Sequence, residues 1–172
     1  LHVTEHSFPT RRSSDLREPL SVQVHPCDEY AARVEGGRGK TEMWLVLDRV
    51  PGAFLYCGFE RETEVGEVRA RIADGTLDQL LRRVPVEPGD VVFIPAGTVH
   101  AIGAGIVLAE IQQSSNTTYR MFDYGRRGPD GRKRPLHVEK ALDVAALAPA
   151  ETRPPGREAP RSMPGGSIER LT

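Results

Sequence analysis

The chain has 172 residues, of which 38% are hydrophobic and 27% charged, so one packed domain is expected and disorder is not. A formal net charge of −1, from 23 Lys+Arg against 24 Asp+Glu, argues against a basic face for nucleic acid or anionic membrane. No apolar run approaches the roughly 20 residues of a membrane helix, and Cys27 and Cys57 are too few for a disulfide framework, which points to a reducing cytoplasm.

Residues 1–16 show no apolar signal segment. The stretch 6–16 back-translates into a common short-read sequencing adapter, so 1–16 is expected to be a translated artefact, unordered and outside the fold. Residues 20–25 alternate apolar and polar side chains and read as a half-buried strand ended by Pro26. A second strand is expected over 42–47 and a third over 53–59, joined by a turn at Pro51-Gly52. Residues 62–73 read as a surface helix broken by Gly75. Thr76 then caps a second short helix through Arg83, the two forming one helical insertion. Strands follow over 91–94, 98–102, 106–112 and 117–124, separated by Gly and Pro turns. A basic, Gly-rich loop spans 125–134, and a short helix spans 137–147. Residues 148–172 read as a Pro/Gly-rich linker into a further C-terminal segment. Many short strands with little helix between them favour a β-sandwich or jelly roll over parallel α/β.

Gln23 and His25 stand at i and i+2 of one strand, so both project from the same face. That spacing suits either a metal pair or a core histidine with an amide partner. Glu42 opens an apolar strand, where a carboxylate is either solvated at the strand end or matched by a cation or metal. His100 follows Pro88-Gly89-Asp90 and Pro95-Ala96-Gly97, turns that fix where an imidazole on the next strand points. Tyr124 and Arg126-Arg127 either assist an anion or form a solvated loop.

Four ordered blocks carry a resemblance: Leu20-Ser21-Val22-Gln23-Val24-His25-Pro26, Gly39-Lys40-Thr41-Glu42-Met43-Trp44, Ile94 to Ile102 with its Gly-Thr-Val-His, and Thr118-Tyr119-Arg120. The third resembles the second cupin motif. Together they resemble the short bacterial form of the type I phosphomannose isomerase family, from about residue 17 to 144. The resemblance implies a mainly β cupin jelly-roll barrel with a short helical insertion, 17–147 forming the catalytic core and the family's flanking segments lying outside this chain at both ends. It implies one Zn2+ per chain, held by Gln23, His25, Glu42 and His100, and a small-molecule sugar phosphate as partner. The implied reaction interconverts mannose 6-phosphate and fructose 6-phosphate through an enediol. Arg120 falls on the family's catalytic arginine, Lys40 on a residue that binds phosphate or moves a proton, and Ser21 near the sugar phosphate. Two positions depart from the pattern: Asn116 stands where the family often has Asp, and Cys27 where Asn is common. The alternatives are a metal- and sugar-binding cupin without turnover, for which Asn116 speaks, and a cupin isomerase acting on glucose 6-phosphate.

Overall fold

The computed structural model describes residues 10–13, 18–128, 130–150, 161–163 and 166–168. In chain order these form β1 (Thr10–Ser13), β2 (Val22–Val24), α1 (Asp28–Glu35), β3 (Glu42–Arg49), β4 (Phe54–Phe59), α2 (Val65–Asp74), a 3-10 turn (Leu77–Leu80), β5 (Leu81–Pro85), β6 (Val91–Ile94), β7 (His100–Ile102), β8 (Ile106–Gln112), β9 (Tyr119–Phe122), α3 (Val138–Val144), β10 (Arg161–Met163) and β11 (Gly166–Ile168). Two antiparallel sheets organise them, ordered β1-β8-β3-β6 and β5-β4-β7-β2-β9, with β10 and β11 pairing only each other. This is the mainly β, jelly-roll-like arrangement expected from the turn spacing. Among the described residues, no helix is long and apolar enough to cross a membrane.

Strand alternation sorts the side chains into two cores. Trp44 and Val46 of β3, Leu55 and Cys57 of β4, Val92 and Ile94 of β6, Ile102 of β7, and Ile106 and Leu108 of β8 form one buried cluster drawn from both sheets. The alternate residues of the five-stranded sheet, among them Val22, Val24, Tyr56, Ala101 and Met121, join Val68 and Ile72 of α2 and Ala141 and Leu142 of α3 in a second cluster. Helices thus cover that sheet's outer face, and Gln23 of β2, His100 of β7 and Arg120 of β9 form a polar row across the other.

Differences from the sequence reading have local causes. Residues 76–83 do not form a second helix: only Leu77–Leu80 coils, and Leu81–Pro85 pairs with β4 as an edge strand. The open edge of β4 and burial of Leu80 and Leu81 outweigh the helical pattern there. Helix α1 arises where no element was expected. Asp28 and Glu29 fill its first turn, and Gly36 closes it in the left-handed region at φ 65°. The adapter-like segment is not wholly outside the fold either: Thr10–Ser13 pair antiparallel with Leu108 to Ile111 of β8, which corrects the expectation of an unordered tail. A free strand edge pairs through backbone groups whatever the side chains, so a polar, basic composition does not keep this segment out of the sheet. Most of the linker reading, 151–160 above all, lies outside the described residues.

Candidate metal centre

The register of the five-stranded sheet sets the row that matters. His100 of β7 lies opposite Gln23 of β2, and Gln23 lies opposite Arg120 of β9. On the facing sheet, Glu42 of β3 lies between Ile94 of β6 and Gln112 of β8. Glycines lock the ends of these strands. Gly97, at φ 87°, turns the chain between β6 and β7 and donates its N–H to the His25 carbonyl at 2.8 Å. At Gly39 a Cβ would come within 2.4 Å of the Cys27 carbonyl carbon, and this close approach lets Lys40 N–H reach the Pro26 carbonyl at 3.0 Å. The two strand ends that carry His25 and Glu42 are thereby tied together.

His25, Glu42 and His100 are 1%, 2% and 0% exposed, and one ligand atom from each lies within 4.8 Å of the others. His25 Nδ1 donates to the Thr117 carbonyl at 3.0 Å, and His100 Nδ1 to the Thr98 carbonyl at 2.8 Å. A carbonyl only accepts, so each ring carries a proton on Nδ1, and in the neutral imidazole Nε2 then presents its lone pair. Those lone pairs face the Glu42 carboxylate, at 3.2 Å from His25 and 3.6 Å from His100. His25 Nε2 and both Glu42 oxygens are buried without a hydrogen bond. Lys40 Nζ lies 2.6 Å from Oε1, an ion pair whose angle does not make a hydrogen bond. Burial, followed by the neighbouring His25, brings the His100 imidazole down to about 4, so it stands neutral. Burial alone would raise Glu42; positive charge in the cluster, on a protonated imidazole or on Lys40, outweighs it and holds the carboxyl below its usual range, and with the imidazoles neutral Lys40 is the charge that remains.

Acceptor atoms converging in a buried space, each imidazole oriented by a backbone carbonyl, match a divalent cation site. The residues present fit such an ion: the unpartnered buried atoms are the ones a cation would satisfy. Gln23 Nε2 sits 3.3 Å from His100 Nε2, and a half-turn of its amide puts the oxygen on that side. Among the described residues this is the only cluster of His, Cys, Asp or Glu with metal-ligand spacing.

A cavity of about 290 Å³ adjoins the cluster, lined by Gln23, Lys40, Glu110, Gln112, Asn116 and Thr118 among others. Lys40, 8% exposed, stands between Glu42 and Glu110, whose Oε1 is 3.8 Å from its Nζ. Glu110 is the residue the sequence reading missed. Its signal was present, since Glu110 and Gln112 stand at i and i+2 on β8, the inward face shared with Leu108. Arg120 is in register with Gln23, but its guanidinium donates to the Pro135 carbonyl at 3.0 Å while its buried Nε has no partner. Ser21 is buried near Gln23 without lining the cavity. Cys27 is exposed just before α1, and Cys57, opposite His100 in register, is buried.

No family model matches the chain. It is 47% identical over 141 residues to a mannose-6-phosphate isomerase of Streptococcus mutans, covering 81% of this chain and 44% of that protein. It is 48% identical over 131 residues to mannose-6-phosphate isomerase ManA of Bacillus subtilis, covering 76% of this chain and 41% of that protein. The fold superposes on a solved mannose 6-phosphate isomerase of Bacillus subtilis with a TM-score of 0.82 at 35% identity, over 93% of this chain and 50% of that one. The chain therefore spans less than half the length of the curated relatives it matches.

Proposed function

Because the chain belongs to the type I phosphomannose isomerase family, we propose that it carries the catalytic core of an aldose–ketose isomerase interconverting mannose 6-phosphate and fructose 6-phosphate. The observation that carries this reading is the buried convergence of His25, Glu42 and His100 beside a polar cavity. His25, Glu42 and His100, with the oxygen of Gln23, would hold one zinc ion, the nitrogen and oxygen donor set of a catalytic site. A bound zinc ion supplies stabilisation of negative charge developing on the sugar oxygens. The two free thiols, one of them exposed, suit a reducing cytoplasm.

The remaining groups take roles from their placement. Isomerisation through an enediol moves a proton between adjacent carbons, so one base must reach both. Glu110 is the carboxylate among the described residues lining the cavity, and it takes that proton. Lys40, charged between Glu42 and Glu110, holds both carboxylates in place and offers a proton to the sugar oxygen or a contact to phosphate. Arg120, in register with Gln23, would stabilise the enediolate by its charge. Asn116, on the cavity wall, can hydrogen-bond a sugar hydroxyl but cannot shuttle a proton as an aspartate would.

A coupled assay for fructose 6-phosphate tests the reading, supplying mannose 6-phosphate or glucose 6-phosphate to the chain joined to the segments its relatives carry, before and after chelation. Turnover of mannose 6-phosphate that chelator abolishes and zinc restores is expected. Turnover of glucose 6-phosphate alone, or metal and sugar binding with no turnover, overturns it.

A further inference from the structure

The orientation of His25 depends on a loop. Its Nδ1 donates to the Thr117 carbonyl at 3.0 Å, and Thr117 lies between β8 and β9, in neither strand. Among the described residues, no backbone–backbone hydrogen bond outside strand pairing holds residues 116–118. The Thr117 N–H donates instead to Ser115 Oγ at 3.2 Å, and that hydroxyl donates to the Arg38 carbonyl at 2.7 Å. One proton and two lone pairs let a hydroxyl hold both groups at once. Arg38 precedes Lys40 and Glu42, so Ser115 ties the segment leading into one ligand strand to the loop that aims His25.

Two further bonds join the same segments. Thr41 N–H donates to Gln113 Oε1 at 2.8 Å, and Gln113 N–H donates to the Thr41 carbonyl at 3.0 Å. They fix the chain just after β8, and Ser115 carries the tie onward to Thr117. Asn116 and Thr118, on either side of Thr117, line the Lys40 cavity, so the same tie sets part of its wall. Ser115 and Thr117 are only half-buried and Arg38 is exposed, so water can satisfy the Arg38 carbonyl and the Thr117 N–H if the hydroxyl is lost. Its loss then costs little stability, but it frees the Thr117 carbonyl to move. An imidazole without a fixed Nδ1 acceptor shares its proton between both nitrogens, and a protonated Nε2 has no lone pair to give. We propose that Ser115 is a positioning residue for His25, acting through the Thr117 peptide to keep Nε2 turned on the Glu42 carboxylate as a bare acceptor. Its effect on zinc rests on the metal reading proposed above; its effect on the imidazole does not.

Long-range nitrogen–proton NMR of the metal-free 172-residue chain, above the histidine titration range, shows which ring nitrogen carries the proton. His25 should be in the Nδ1–H form in the unaltered chain and in Ser115→Thr, which keeps the hydroxyl. In Ser115→Ala it should become a mixture with the Nε2–H form. His100, whose Nδ1 partner is the Thr98 carbonyl outside this loop, should stay Nδ1–H in all three. Competition with a chromophoric chelator should find zinc bound about tenfold more weakly by Ser115→Ala, the low end for an outer-shell change, and restored in Ser115→Thr. Tyr30→Phe removes a hydrogen bond to Asp143, 2.8 Å long and outside the loop, and should change neither measurement. His25 remaining Nδ1–H in Ser115→Ala, His100 shifting with it, or a mixture persisting in a folded Ser115→Thr each overturns the proposal. So does a Ser115→Ala chain that fails to fold, which would make the hydroxyl a structural contact. An unaltered chain that binds no zinc would instead sink the metal reading, while the His25 proton still decides the role of Ser115.

Discussion

Glu42 and Asp123 are buried almost equally, at 2% and 5% exposure, but in opposite company. Asp123 is surrounded by donors. Arg134 Nε donates to its Oδ2 at 2.7 Å, Arg126 Nε to its Oδ1 at 3.1 Å, and further guanidinium N–H groups of both arginines reach Oδ1. Arg126 continues to the Pro19 carbonyl at 2.7 Å, so the network closes within the chain. Burial raises Asp123, but Arg134 and Arg126 outweigh it and keep the carboxyl low. Glu42 is surrounded by acceptors, two imidazole lone pairs, with Lys40 the one cation beside it. Acceptors facing acceptors repel unless a positive ion sits among them. A buried carboxylate by itself therefore says little; the donor count around it separates a structural ion pair from a metal site.

The largest effect expected from breaking this contrast is at the metal centre. Glu42→Gln or His100→Ala should abolish isomerisation and lower zinc affinity by more than the roughly 10–100-fold typical of an outer-shell change. Elemental analysis after purification without added metal measures this. Chelator should lower the melting temperature of the unaltered chain and move that of Glu42→Gln far less, because a bound ion would stabilise only the chain that holds it tightly. Zinc retained at full stoichiometry in His100→Ala would remove His100 from the ligand set.

Arg120→Ala follows, at the boundary between the two regions. Loss of one donor to developing charge lowers turnover by roughly 10²–10³ while zinc content stays constant. Arg120→Lys should recover little, since a point charge does not copy the planar fork. Near-normal turnover in the alanine variant would assign Arg120 only to the Pro135 carbonyl it already holds.

Asp123→Asn should do the reverse of Glu42→Gln: zinc unchanged, stability lowered. The loss should be about 1–3 kcal/mol, below the roughly 3–5 for a fully buried pair because both arginines reach solvent. Urea unfolding of the two variants side by side gives the comparison directly.

Much of this was legible in the residues. The i, i+2 placement of Gln23 and His25 and the turns before His100 give positions on strands, and local patterns decide those. Which strand lies opposite which is nonlocal. The sequence therefore could name His25, Glu42 and His100 through resemblance, but not that Gln23 lies between His100 and Arg120. Residues 76–83 failed for a related reason: Leu80 and Leu81 answer to the exposed edge of β4, not to their neighbours in the chain. Asp123 gave no signal, because its partners Arg126 and Arg134 lie in a basic loop that reads as either solvated or anion-binding until the fold curls it back.

The smallest expected effect concerns a third arrangement of polar atoms. His25 and His100 each donate from Nδ1 to a carbonyl, whereas His137 Nδ1 accepts the Arg120 backbone N–H at 3.1 Å just ahead of α3. A proton on that nitrogen would break the bond. Burial comes first in lowering the His137 pKa from its ordinary 6.5, followed by the charges of Arg120 and Lys140. A base with a lowered folded pKa stays neutral while the unfolded chain takes up its proton. Its stability contribution is therefore intact above about pH 6.5 and is lost as pH falls from there toward the folded value. The ring is only partly buried, so the loss should stay below about 1 kcal/mol. Subtracting the stability–pH curve of His137→Asn from that of the unaltered chain isolates this slope from the other histidines. A difference that is flat below pH 6.5, or that rises as pH falls, would show that His137 does not act as the acceptor anchoring Arg120.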